Sequence, residues 1–114
     1  STLMRSSAAS DVYKRQELAS DVRTKEGSAA AYYVLEDVFA GGDMDKAEKA
    51  IFAYSEREPQ AYWLAKAFIL LGDVYVRKGD NFQARATYQS VADGYSPADD
   101  GIVAEAKERI AKLN

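Results

Sequence analysis

Few side chains in this 114-residue chain can do chemistry. It contains neither His nor Cys. That removes the commonest general base, the commonest metal ligand, thiolate metal sites and disulfides. A nucleophilic triad built on His is excluded with them. Carboxylates remain, and a suitably spaced pair can hydrolyse a glycoside. The acids that lie close in sequence are Glu36 with Asp37, Asp43 with Asp45, and Asp99 with Asp100. Each pair falls at an expected cap, turn or helix face, where acids satisfy backbone amides or the helix dipole. We assign catalysis to none of them. Gly41-Gly42-Asp43 is not a phosphate loop, because it lacks the wider Gly-x-Gly spacing and any following Lys-Ser/Thr. No cofactor and no metal is implied. The aromatic group Tyr54, Tyr62, Trp63 and Phe68 reads as packing between helices, with a partner hot spot as the alternative.

The elements that position these residues are helices. Apolar content is 47%, with two Pro and seven Gly, and no apolar run approaches the ~18 residues that span a bilayer. From Leu70 to Val91 the sequence reads LLGDVYVRKGDNFQARATYQSV. Leu71, Gly72 and Tyr75 share one helical face, and Ala84, Tyr88 and Val91 share another. Two helices folded about a turn at Lys78-Gly79-Asp80 account for this pattern. Gly72 and Ala84 are small where helix backbones would cross, with Tyr75 and Tyr88 filling the space between. Asp80 and Gln83 make a capping box for the second helix.

This stretch resembles the tetratricopeptide repeat, a helix-turn-helix unit of about 34 residues. Leu71-Gly72, Tyr75, Ala84, Tyr88 and Val91 meet the repeat's pattern in turn. Phe68 takes the place usually given to Trp, and Pro97 sits near the closing proline. A weaker copy lies upstream. Leu35 pairs with Leu71 and Phe39 with Tyr75 at a step of 36, while Gly42, Ala47 and Ile51 pair with Gly79, Ala84 and Tyr88 at a step of 37. The offset predicts a turn one residue shorter in the first hairpin, and Glu36 stands at the position of Gly72.

Residues 1–16 do not fit this plan. Ser6 to Gln16, SSAASDVYKRQ, is identical to the in-frame translation of a transposon-end sequencing adapter. We therefore expect a non-native leader of residues 1–16 and a natural sequence that starts inside a longer protein at Glu17. The leader carries Arg5, Lys14 and Arg15 against Asp11, so the remainder is more acidic than the formal −3 of the whole chain. That balance argues against nucleic acid as the main partner.

The expected organisation is all-α, an antiparallel helical solenoid. Residues 17–27 are the remnant of a preceding helix, with Gly27 as its stop. Hairpin one covers 28–59. Ser28 caps its first helix, which buries Tyr32, Leu35, Val38 and Phe39. Asp43 caps its second, which turns Ala47, Ile51 and Tyr54 inward. Hairpin two covers 60–97, with a first helix from about Pro59 to Lys78. Residues 98–114 form a capping helix with the stripe Ile102, Ala106, Ile110 and Leu113. Its ion pairs Glu105–Arg109 and Glu108–Lys112 are placed on the solvent side. The N-terminal flank around Tyr32 and Leu35 is expected to expose apolar surface.

The resemblance also implies a function. The first helix of each such pair lines a groove that holds a peptide or helix of a partner. In the family's register Lys66, Ile69, Asp73, Val76 and Arg77 face that groove, with Tyr33, Asp37 and Ala40 from the first hairpin. Ile69 and Asp73 stand where some members carry a clamp for a peptide carboxylate, so that chaperone-tail role is not expected. The overall pattern is similar to the C-terminal part of bacterial cell-envelope repeat proteins of the outer-membrane assembly and Tol-Pal kind, which implies the periplasm or envelope. The resemblance implies a non-enzymatic scaffold that binds a protein or peptide, with its own upstream repeats as neighbours and with neither nucleic acid nor membrane insertion. The competing readings are a structural end-cap and a carboxylate-dependent hydrolase.

Overall fold

The computed structural model describes residues 21–96 and 99–113, and among them all regular structure is helical. Five helices pack together: α1 (Lys25–Ala40), α2 (Met44–Glu56), α3 (Ala61–Arg77), α4 (Asn81–Gly94) and α5 (Ile102–Lys112). The adapter-like leader, residues 17–20 of the expected remnant helix and Pro97 lie outside the described residues.

Local chemistry sets the boundaries. Asp43 caps α2 by accepting from the Lys46 amide at 3.1 Å, and Asp80 caps α4 by accepting from the Gln83 amide at 3.0 Å. The reciprocal arm of the expected capping box has no amide to meet. The Asp80 N–H is donated to the Tyr75 carbonyl at 2.9 Å, and the Gly79 N–H to Val76 at 3.0 Å. Together with the positive φ of Gly79 these bonds form a Schellman ending for α3.

Three expectations need correction here. Gly27 is not a stop and Ser28 is not a cap. Thr24 caps α1 by accepting from Gly27 at 2.9 Å, so both lie in its first turn. Residues 21–24, the described part of the expected remnant upstream of α1, are not helical. The two turns also have equal length. Gly41-Gly42-Asp43 and Lys78-Gly79-Asp80 each separate their helices by three residues, so the extra residue lies within α3. Counted back from the turn, Phe39 therefore corresponds to Val76 instead of Tyr75.

α3 is apolar on two faces because it belongs to two cores. On one side Ala67, Leu70, Leu71 and Val74 join Tyr32, Leu35, Ala47, Ile51 and Tyr54 from α1 and α2. On the other Ala65 and Ile69 join Ala84, Tyr88 and Val91 of α4 with Ile102 and Ala106 of α5. A helix sandwiched in this way loses the single apolar stripe of a surface helix. Tyr32 and Leu35 are thus buried at 5% exposure each, and the open residues of that region are Tyr33 and Val34.

The small residue at 72 is explained by one ring. A Cβ on Gly72 would stand 2.2 Å from Cε1 of the buried Tyr88. Tyr75 instead leans toward α2, where its hydroxyl donates to Glu48 at 2.9 Å. Beside it, Lys78 bridges Asp45 at 2.7 Å and Glu48 at 2.9 Å. These contacts fasten the end of α3 to α2.

The connection between α2 and α3 depends on Ser28. Its buried hydroxyl donates to the Val22 carbonyl and accepts from the Gln60 amide at 2.9 Å, while its own carbonyl accepts from the Tyr54 hydroxyl at 2.8 Å. Burial pushes the Tyr54 phenol up to about 12.

Each helix backbone meets only the next helix and the next but one, so α1 and α2 approach neither α4 nor α5.

Candidate functional site

The helices in odd positions share one surface. An open depression of about 410 Å³ is lined by Phe39 of α1, Asp73, Val76 and Arg77 of α3, Tyr88 of α4, and Arg109, Lys112 and Leu113 from α5 and its end. That volume lies at the lower end of the range for ligand sites.

Three of the residues expected to face a groove meet here, namely Asp73, Val76 and Arg77. Val76 is 40% exposed. The Arg77 guanidinium lies 5.0 Å from the centroid of the Phe39 ring, within cation–π range.

Asp73 has other partners. It accepts from the Tyr88 hydroxyl at 2.5 Å and forms an ion pair with Arg109 Nε at 2.9 Å. Arg109 also bonds Glu105 at 2.8 Å. The Glu105–Arg109 pair expected on the solvent side is therefore half-buried, because Asp73 draws the guanidinium inward. Burial, reinforced by the Asp73 carboxylate, raises the pKa of Tyr88, so this hydroxyl remains a donor at neutral pH.

The other expected groove residues lie elsewhere. Ile69 is 3% exposed and sits in the core beneath α5; the last helix covers this part of the face that the repeat register assigned to a groove. Lys66 holds its ammonium 5.7 Å from the Tyr32 ring and 6.0 Å from the Tyr62 ring. Tyr33, 48% exposed, packs edge-on against Trp63 at 5.7 Å. Trp63 in turn meets Tyr62 at 5.1 Å and Tyr32 at 5.5 Å. The aromatics near the hairpin junction thus pack mainly on one another and on the first core. Asp37 lines a separate depression of about 330 Å³ on the first hairpin with Val34, Val38, Gly41, Asp43 and Lys46. Ala40 is exposed at the end of α1.

Tyr32 links these regions electrostatically. Burial raises its pKa first, followed by Glu36 and then by the charges of Glu105 and Asp73.

Three of the acids considered for catalysis have structural work. Asp43 caps α2, Asp45 pairs with Lys78, and Asp100 accepts from the Tyr95 hydroxyl and from the Ile102 amide at 3.2 Å. Among the described residues no group of three His, Cys, Asp or Glu is placed to hold a metal ion, and no helix is long and apolar enough to cross a membrane.

Sequence reasoning missed Phe39, Tyr88, Arg109, Lys112 and Leu113 as lining residues. A signal existed for α5, since it follows the second hairpin where a third repeat would place its first helix. Comparison with family models, curated proteins and solved structures found no match.

Proposed function

We propose that this chain is a non-enzymatic scaffold, a tetratricopeptide-like solenoid segment that holds a segment of a partner protein on the surface shared by α1, α3 and α5. The observation that carries this reading is the depression lined by apolar Phe39, Val76 and Leu113 together with charged residues. Two features favour the solenoid. Helices contact only their near neighbours, as stacked repeats do. Corresponding positions also behave alike: Ala47 and Ala84 are buried, Ile51 and Tyr88 are buried, and Gly42 and Gly79 have positive φ.

Because Asp73 is tied into the fold, Val76 is the cleaner probe. Peptides selected from a random display library against the whole chain should bind the Val76→Asp variant at least about tenfold more weakly. Retention of full affinity by that variant, with its helical spectrum and melting temperature unchanged, would remove this surface as the binding site.

A further inference from the structure

The most exposed large apolar side chain lies away from the depression of the first helices. Phe82, in the first turn of α4, is 84% exposed, against 48% for Tyr33, the next among the described residues. The far end of the same helix borders a largely apolar hollow. Ala61, Leu64 and Phe68 of α3 face Val91, Gly94 and Tyr95 across an open space of about 300 Å³. None of these residues lines the depression that contains Val76. An apolar cavity of about 150 Å³ holds benzene, so the hollow has room for a phenyl ring.

One ridge of α4 joins the two features. Phe82, Ala86, Ser90 and Gly94 follow one another four positions apart, and such a row winds around its helix by about 40° per step. Its carboxyl end turns toward the hollow, which Ser90 and Gly94 help to line. Ala86 and Ser90 are exposed, and neither is bulky. A Cβ on Gly94 would meet nothing within 4 Å, so that end stands open. Helical rise puts about 18 Å between Phe82 and Gly94.

We infer that this flank of α4 receives the α4 of a second copy of the chain, laid antiparallel about a twofold axis, with Phe82 of each copy seated in the hollow of the other. Antiparallel pairing sets residue 82 of one helix opposite residue 94 of its partner. A single axis at the middle of the ridge therefore serves both rings and both hollows, as an isologous contact requires. A segment of a different protein fills the hollow and leaves Phe82 in water, whereas a second copy covers both. Small residues between ring and hollow let the two helices approach closely. The contact goes beyond the scaffold reading and uses none of the residues that line the Val76 depression.

A contact of one helix and two rings falls below the ~1,200 Å² of standard complexes, so the pairing is reversible and is read over a concentration series. Sedimentation equilibrium of the intact chain should show the mass rising from one chain toward two, with no larger species. Phe82→Ser and Ala61→Glu change exposed positions at the ring and at the hollow; each should weaken association at least about tenfold. Phe52→Ser removes a ring that is 43% exposed on α2 and should leave association unchanged. Each variant is checked for parent-like helicity and melting. A chain that stays monomeric up to about 1 mM overturns the inference. Association that survives either Phe82→Ser or Ala61→Glu overturns it by placing the contact elsewhere. Equal loss in Phe52→Ser overturns it by showing general stickiness. Growth beyond two chains overturns the twofold arrangement, because a head-to-tail contact that does not close continues to add copies.

Discussion

Gly72 and Tyr88 are one decision made by two residues. A glycine inside a helix costs up to ~1 kcal/mol against alanine, yet here the space it leaves is filled by a ring. That ring is held at its far end by Asp73, so it cannot swing aside. Gly72→Ala should therefore destabilise the protein by ~1–3 kcal/mol despite the better helix propensity. Chemical denaturation would detect this. Pairing it with Tyr88→Leu should give a loss smaller than the sum of the two single losses, since the clash disappears with the ring. A stabilising Gly72→Ala would refute this account. The small residue at 72 is legible in the sequence as a mark of close packing. Its partner is legible only as a face, because a ring four turns of chain away reaches it through tertiary geometry. Ser28 illustrates the harder case. Nothing near residue 28 indicates Gln60, whose amide it accepts 32 positions later, so local pattern reads it as a cap.

At the scale of helices, the caps at Asp43 and Asp80 can be read from sequence because an acid directly before an apolar period satisfies free amides wherever the helix packs. The length of a turn is less legible, since an insertion in the helix and one in the turn shift the periodicity alike. The joint between α2 and α3 is tested by pH. Hydrogen bonding to Lys78 lowers the carboxyl pKa of Asp45, and Lys78 followed by Tyr75 lowers that of Glu48. A depressed carboxyl pKa stabilises the fold above the unfolded value of about 4 and loses that effect as pH falls through the folded value. Lys78→Met should therefore lower the denaturation midpoint at about pH 7, and the difference from the parent should shrink steadily as pH falls below about 4. A difference that persists unchanged in acid would show that the lysine acts through packing of its stem and not through charge.

For the molecule as a whole, α3 is the element common to both cores. Its amides around Leu70 to Val74 should be the slowest to exchange with deuterium, and those of α1 and α5 faster by sub-global opening. Equal protection across α3 and α5 would contradict independent opening at the ends. Much of the candidate site follows from α3 alone, which is why Asp73, Val76 and Arg77 are legible from their register. Arg109 and Lys112 are not, because their sequence pattern of i,i+4 ion pairs describes any wetted helix, and only the docking of α5 beside α3 turns Arg109 inward. Ile69 is lost from the predicted groove for the same reason.

The neighbour-only arrangement of backbones has a mechanical corollary. Tension applied at the two ends of such an array is carried in series, because no distant segment clamps the first hairpin to the last. The end helices can then yield before α3, which both cores hold, and the protein should give way in steps instead of rupturing at once.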